Sequence, residues 1–279
     1  MRVAMRVAMK AVVSVPLLRR TWRAQRGRVA LVAAALVAWA FLMPVVFATF
    51  GRQLAALLDM DIIPKPLLRL LGADPFSLGG AVALGWVHPI ATGLQLVFPL
   101  GLGAAAIAGE RQRGTLEVLL SRPVSRRTLL STQLVALLGI AVVTTAAALL
   151  GTLVGSAAYG VAAELNVAEL GFLGLNTVLL LAAFASVSLA ASASFDSLGP
   201  PLGIGLGVLL AGYVLEVLGT IWPDAAFLQP LSPFHYLRPL EILGGRGDPR
   251  DLLVLAVVAV AATCFGLWLF PRRDLAAPT

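Results

Sequence analysis

Six long stretches of the sequence contain no Asp, Glu, Lys or Arg, and this pattern constrains the fold more than any other feature. The stretches are residues 29–51, 78–109, 129–163, 170–195, 197–215 and 252–271. A helix needs about 20 mainly apolar residues to cross the roughly 30 Å hydrocarbon core of a bilayer. The sequence therefore predicts an all-α integral membrane protein with six transmembrane helices.

The composition excludes an ordinary soluble domain. Hydrophobic residues make up 59% of the chain and charged residues 13%, whereas soluble domains carry about 45–50% apolar and about 25% charged residues. The predicted organisation is a basic amphipathic entry segment (1–28), a six-span transmembrane domain (29–271) and a short tail (272–279). Because the second and third stretches exceed one crossing, we expect tilt, extension beyond the bilayer or a broken helix near His88-Pro89.

The positive charges are distributed unevenly between the two sides of the membrane. If the N-terminus is inside, the inner segments carry 15 of the 21 Lys and Arg residues and the outer segments carry 6. The positive-inside rule then predicts that both termini are cytoplasmic. The chain has a net charge of +7, and its basic residues cluster beside apolar spans. This position favours membrane lipids over nucleic acid as the partner.

Two segments between spans have patterns of their own. Residues 51–77 place leucines at helical spacing and break at Pro64 and Pro66, which predicts short helices at the membrane interface. Residues 222–250 contain Phe234 and Tyr236 among Pro223, Pro230, Pro233 and Pro239, which predicts an outer hairpin that is re-entrant-like or lies on the surface.

Few residues could carry catalysis. The candidates for a translocation path are His88 and Glu216, because ionisable groups in or beside spans are often functional. The alternatives are a hydrogen bond from His88 to a neighbouring helix and a Glu216 carboxylate that reaches water.

The spans hold no paired Asp and no Gly-x-Ser-x-Gly, which disfavours a membrane protease. A single cysteine, Cys264, excludes an internal disulfide. We expect no metal and no cofactor.

Glycines are spaced four apart in two spans. The pairs are Gly151 with Gly155 and Gly203 with Gly207. Such spacing lets helix backbones approach closely. We interpret both pairs as packing within the chain, with a dimer interface as the alternative.

The basic segment 109–127 is too short to cross a membrane, and its pattern predicts a short surface helix. Thr115 is in position to cap this helix, Leu116, Leu119 and Leu120 share one face, and Pro123 ends it. Ser125 can then cap the following span. The alternative is a solvated basic loop. Neither Lys10 nor Lys65 lies in a phosphate-binding loop, so any ATPase must be a separate polypeptide.

This segment resembles the first cytoplasmic loop, with its coupling helix, of type-2 ABC exporter permeases, particularly the branch associated with multicopper-enzyme maturation. The resemblance rests on Glu110, Arg113-Gly114-Thr115-Leu116-Glu117, Leu119-Leu120-Ser121, Pro123 and Ser125-Arg126, and more loosely on Ser232-Pro233-Phe234-His235-Tyr236 and Phe270-Pro271-Arg272-Arg273-Asp274.

The resemblance implies a non-enzymatic permease subunit in the plasma membrane that pairs with a second copy or paralogue and with a separate ABC ATPase subunit. The residues expected to couple to that ATPase are Glu110, Arg113, Gly114, Thr115, Leu116, Glu117, Leu119, Leu120 and Arg122. Of these, the leucines are expected to anchor the partner and the charges to set the register. A membrane scaffold or assembly factor without transport activity is the alternative function.

Overall fold

The computed structural model describes residues 12–58 and 77–274, which form helices and turns without any β-strand. Six helical stretches in these residues are long and apolar enough to cross a membrane. They are Val15–Gly51, Pro89–Gln112, Arg126–Ala158, Val167–Ser194, Gly199–Ile221 and Pro249–Arg272. The predicted six-span, all-α fold is confirmed.

The first helix, α1 (Val15–Leu58), has 44 residues and therefore extends about 66 Å at 1.5 Å per residue. This length is about twice the hydrocarbon thickness, so α1 continues beyond the membrane. It packs along α6 (Arg126–Ala158). Gly151 and Gly155 face the α1 backbone so closely that an added Cβ at Gly155 would lie 2.6 Å from the Phe41 carbonyl oxygen. This glycine pair packs within the chain, as predicted.

Of the alternatives expected for the second apolar stretch, the structure shows the break near His88-Pro89. Helix α2 (Leu78–Val87) ends one residue before His88, and α3 (Pro89–Ala104) begins immediately after it. Proline is tolerated at the first position of a helix because its missing N–H would have no partner there. Helix α3 continues as a π-helical turn, Ala105–Gly109, and then as the short helix α4 (Glu110–Gln112).

The fourth spanning helix, α7 (Val167–Ser194), lies at the centre of the bundle and is the most buried span. It contacts α3, α6, α8 (Gly199–Ile221) and α10 (Pro249–Arg272). Few residues of α8, α10 and α1 are buried within the chain. Their outward faces carry large apolar side chains, as expected of surfaces that meet lipid or another membrane protein.

Short helices cover the bundle between α8 and α10. They are two 3₁₀ segments, Pro223–Leu231 and Pro233–Tyr236, and α9 (Pro239–Leu243). The Asn176 side-chain amide of α7 donates to the Tyr236 carbonyl over 2.9 Å, which fixes this cover to the centre of the bundle. The interfacial helices predicted for residues 51–77 lie mostly outside the described residues.

Candidate functional site

Residues 110–122, between α3 and α6, fold around the Glu110 side chain and are called the folded segment below. One oxygen of the Glu110 carboxylate accepts a hydrogen bond from Arg113 Nη2 at 2.9 Å, and the other accepts one from Thr115 Oγ1 at 2.6 Å. The Thr115 amide donates to the Glu110 carbonyl over 2.9 Å. Between them Gly114 has a φ of 69°, a left-handed conformation that glycine adopts without steric cost. The chain is thereby reversed tightly before the next helix.

Thr115 does not have its predicted role. It precedes helix α5 (Leu116–Leu120), but its side chain makes no capping hydrogen bond to that helix. The hydroxyl instead donates back to Glu110, because Thr115 has α-helical rather than extended backbone angles. Ser125 caps α6 as predicted, accepting from the Thr128 amide at 3.0 Å.

The apolar face of α5 points towards the protein itself. Leu116 is 2% exposed and belongs to a core cluster with Ile107, Leu129 and Phe270, and Leu120 packs against the same cluster. The opposite face carries Val118, which is 62% exposed. Leu116 therefore holds α5 on the bundle, and Leu119 and Leu120 are half-buried beside it.

Three distant parts of the chain meet at Asp196, which lies in the turn between α7 and α8. Its carboxylate accepts from Arg111 Nε at 2.9 Å and forms an ion pair with Arg273 at the end of α10. The Gln112 side chain accepts from the Leu198 amide over 2.8 Å. The start of the folded segment is thus joined to the turn between α7 and α8 and, through Asp196, to the end of α10.

Arg126, at the start of α6, makes a second connection to the C-terminal end of α10. Its guanidinium donates to the carbonyl oxygens of Phe270 at 3.3 Å, Pro271 at 3.4 Å and Arg273 at 2.5 Å. The last carbonyls of a helix have no partners within it and attract positive charge. Arg126 therefore fixes the entry of α6 to the end of the last span.

The π-helical turn that leads into the segment is held by one buried hydroxyl. Ser192 of α7 accepts from the Ile107 and Ala108 amides at 3.0 and 2.9 Å and donates to the Ala104 carbonyl at 2.6 Å. Ser192 is fully buried. Single π-helical turns often occur at functional sites, and this one lies near the end of the span Pro89–Gln112.

A family comparison matches most of the chain. The family model described as "ABC-2 family transporter protein" aligns with residues 72–275. The chain belongs to the ABC-2 transporter family. Among curated proteins, none matches the chain. The aligned region of this ABC-2 protein includes the folded segment and its contact with Asp196.

The two residues considered for a translocation path in this ABC-2 protein occupy separate sites. His88 caps α3 by accepting from the Ile90 amide at 3.3 Å, and its ring lies 4.8 Å from that of Trp39. Glu216 accepts from the Gln229 side chain at 3.3 Å and lies 3.6 Å from His235 Nδ1. No contact between described residues joins His88 to Glu216.

His235 belongs to a charged cluster beside α9. Arg238 donates to Asp251 from Nη2 at 2.8 Å and to Glu241 from Nη1 at 2.9 Å. Burial, and then the Arg238 guanidinium, lower the pKa of the His235 imidazole below its usual range. The described residues contain no group of three or more His, Cys, Asp or Glu side chains placed to hold a metal ion.

The contacts of Ser192 and Asp196 were not identified from the sequence. Ser192 is one of several small residues in an apolar span, and Asp196 is an ordinary turn residue between two spans. Only the three-dimensional packing brings them to residues about 80 positions away. A pairing signal across related sequences could have found them, since contacting positions vary together.

Proposed function

We propose that this chain is the membrane-spanning subunit of an ATP-driven exporter, and that a separate ATPase subunit docks on the folded segment 110–122. Family membership supports a role in transport. The observation that carries the coupling proposal is the set of side-chain contacts from this segment to α7, α8 and α10. A segment joined to several spans can transmit a push from a partner to all of them.

The proposed orientation places this segment in the cytoplasm with both termini, in the plasma membrane. It rests on the excess of Lys and Arg in the segments that this topology puts inside, 15 against 6. Because ABC transporters hydrolyse ATP between paired ATPase subunits, we propose that two permease units, identical or paralogous, form the transport path. The outward-facing apolar surfaces of α1, α8 and α10 offer room for such pairing.

The structure refines the docking surface that we propose. Because Leu116 is buried in the core, the exposed residues of α5 and its flanks would meet the ATPase. Val118 is the apolar anchor, and Glu117 and Arg122 are the exposed charges beside it. Glu110, Arg113, Gly114 and Thr115 shape the turn that presents this surface. Leu120 packs against the core, and Leu119 is half-buried.

The test is the exchange of one exposed apolar side chain for a charge. We expect Val118→Asp to weaken ATPase binding at least about 30-fold, equivalent to about 2 kcal/mol, because the charge would be desolvated at the centre of the contact. Transport should fall in parallel. The variant should insert at the parent level, because it alters no span. Co-purification from the native host and transport in membrane vesicles measure the two effects.

The matched control is Val167→Asp. Val167 is 71% exposed and begins α7 at the other end of the bundle. It should retain both the ATPase and transport. If Val118→Asp still co-purifies with the ATPase and transports at the parent rate, the docking proposal is incorrect.

A further inference from the structure

A groove separates the start of α1 from the folded segment. Its cavity volume is about 510 Å³, within the roughly 300–1,000 Å³ of typical small-molecule sites. Its walls are mainly apolar, with Leu17 contributed by α1, Leu120 by α5, and Val124 and Leu129 by the entry to α6. The groove can therefore accept an apolar chain.

A smaller cavity adjoins this groove. Its volume is about 130 Å³, and Leu17, Arg20 and Leu119 line both spaces. The smaller cavity also contains Gln25, whose side-chain oxygen is buried without a hydrogen-bond donor among the described residues. The two adjoining cavities together present apolar walls with Arg20 and Gln25 beside them.

Two arginines give the groove its charge. Arg20 and Arg122 both line it, both are exposed, and neither forms an ion pair with any described residue. Arg113 borders the smaller cavity, but its charge is balanced by Glu110. A ligand with one anionic group and an apolar body would match this arrangement.

The groove lies beside the part of α1 that precedes its uncharged stretch. Arg20 precedes the uncharged stretch that starts at Val29 by nine residues, which is about 13 Å along a helix. Basic residues close to a membrane surface attract anionic lipids, at about 1 kcal/mol for each residue. Arginine side chains beside the first span therefore favour an anionic lipid as the ligand.

We propose that this groove binds one anionic phospholipid, with its phosphate between Arg20 and Arg122 and an acyl chain along Leu17 and Leu120. A soluble anion would leave the apolar wall uncovered. The bound lipid would fill the space behind α5 and connect it to the start of α1. The position of the proposed coupling helix would then depend on the membrane's anionic lipid content.

Native mass spectrometry of the full chain tests the proposal. Parent protein should retain phosphatidylglycerol in preference to phosphatidylcholine with the same acyl chains. The double variant Arg20→Gln/Arg122→Gln should bind phosphatidylglycerol about 25-fold more weakly, because each arginine contributes about five-fold. The matched control Arg19→Gln/Arg127→Gln loses the same charge from exposed positions outside the groove and should stay within about two-fold of the parent.

Two results would overturn the proposal: equal retention of both lipids by the parent, or equal phosphatidylglycerol binding by parent and double variant. Displacement of the lipid by millimolar glycerol phosphate would show that the site takes a soluble phosphate instead. These measurements need no ATPase, so a negative result here leaves the proposed function untouched.

Photo-crosslinking identifies the occupant directly. A benzophenone amino acid at position 120, in the full chain in phosphatidylglycerol-containing membranes, should yield a lipid adduct. An adduct with residues 1–11 or with an ATPase in place of lipid would assign the groove to that occupant and refute the proposal. Arg20→Gln/Arg122→Gln in the same protein should reduce the lipid adduct.

Discussion

Replacing Ser192 by alanine tests whether the π-helical turn anchors the folded segment. The hydroxyl makes three hydrogen bonds, accepting from Ile107 and Ala108 and donating to Ala104, at a fully buried position. Alanine removes all three and leaves two backbone N–H groups facing an apolar side chain. Water cannot replace the hydroxyl there without opening the contact between α3 and α7.

The expected loss of stability follows from these contacts. Side-chain hydrogen bonds between membrane helices contribute on average about 0.6 kcal/mol each, so three lost bonds set a lower value of about 2 kcal/mol. Each buried donor left without a partner costs about 1–3 kcal/mol, so two such donors give about 2–6 kcal/mol, with a midpoint of about 4 kcal/mol. We therefore predict that Ser192→Ala lowers the free energy of unfolding by about 2–4 kcal/mol.

Reversible unfolding in mixed micelles measures this value, and Ser194→Ala is the matched control. Ser194 lies on the same helix, but its hydroxyl bonds only to the Ala190 carbonyl one turn earlier, an interaction that does not stabilise helices. Its removal should change the free energy by less than about 0.5 kcal/mol. If the two variants unfold with equal free energies, Ser192 does not anchor the π-helical turn.

Two further predictions concern packing and topology. An alanine Cβ at Gly151 would overlap the backbone of α1, whereas one at Gly203 would meet open space. Gly151→Ala should therefore lower the free energy of unfolding by about 1–3 kcal/mol, and Gly203→Ala should not lower it. Unfolding measurements on the two variants check this. In Cys264→Ala protein, an impermeant thiol reagent should label Glu164→Cys in intact cells and Arg113→Cys only after permeabilisation, and the reverse pattern would contradict the proposed orientation.

Much of the fold could be predicted because it depends on local sequence. Six uncharged stretches predict six spans, since the bilayer sets the length and polarity of each helix. His88-Pro89 predicts the break between α2 and α3 because proline cannot continue a helix without losing a hydrogen bond. Ser125 predicts the cap of α6, since a serine hydroxyl satisfies an amide three residues later. Each signal lies within a few residues of its effect.

The folded segment was harder to predict because its side chains have competing partners. Thr115 could cap α5 or bond to Glu110, and the tight turn at Gly114 brings Glu110 closer. The helical spacing of Leu116 shows an apolar face but not whether that face meets a partner or the protein's own core. The burial of Leu116 against Phe270 depends on a residue more than 150 positions away.

The second glycine pair shows the same limit. Gly203 and Gly207 have the spacing of Gly151 and Gly155, but an added Cβ at either would meet no described residue within 4 Å. Gly205, between them, packs instead against α3 and α7 side chains. The interpretation of internal packing therefore fails for Gly203 and Gly207, and the dimer alternative remains for them. Spacing predicts that a surface permits close approach, and the structure decides which helix approaches.

The contacts at the base of the folded segment differ in strength, and this difference bears on how it could move. Asp196 is 58% exposed, so water and salt weaken its pairs with Arg111 and Arg273, and such pairs contribute about 0–1 kcal/mol. The Ser192 contacts lie in the apolar interior, where no water competes for them. A force on α5 would therefore break the Asp196 pairs before it disturbed the π-helical turn. The folded segment would then pivot about the π-helical turn that Ser192 holds, and the displacement would pass into α3 and α7.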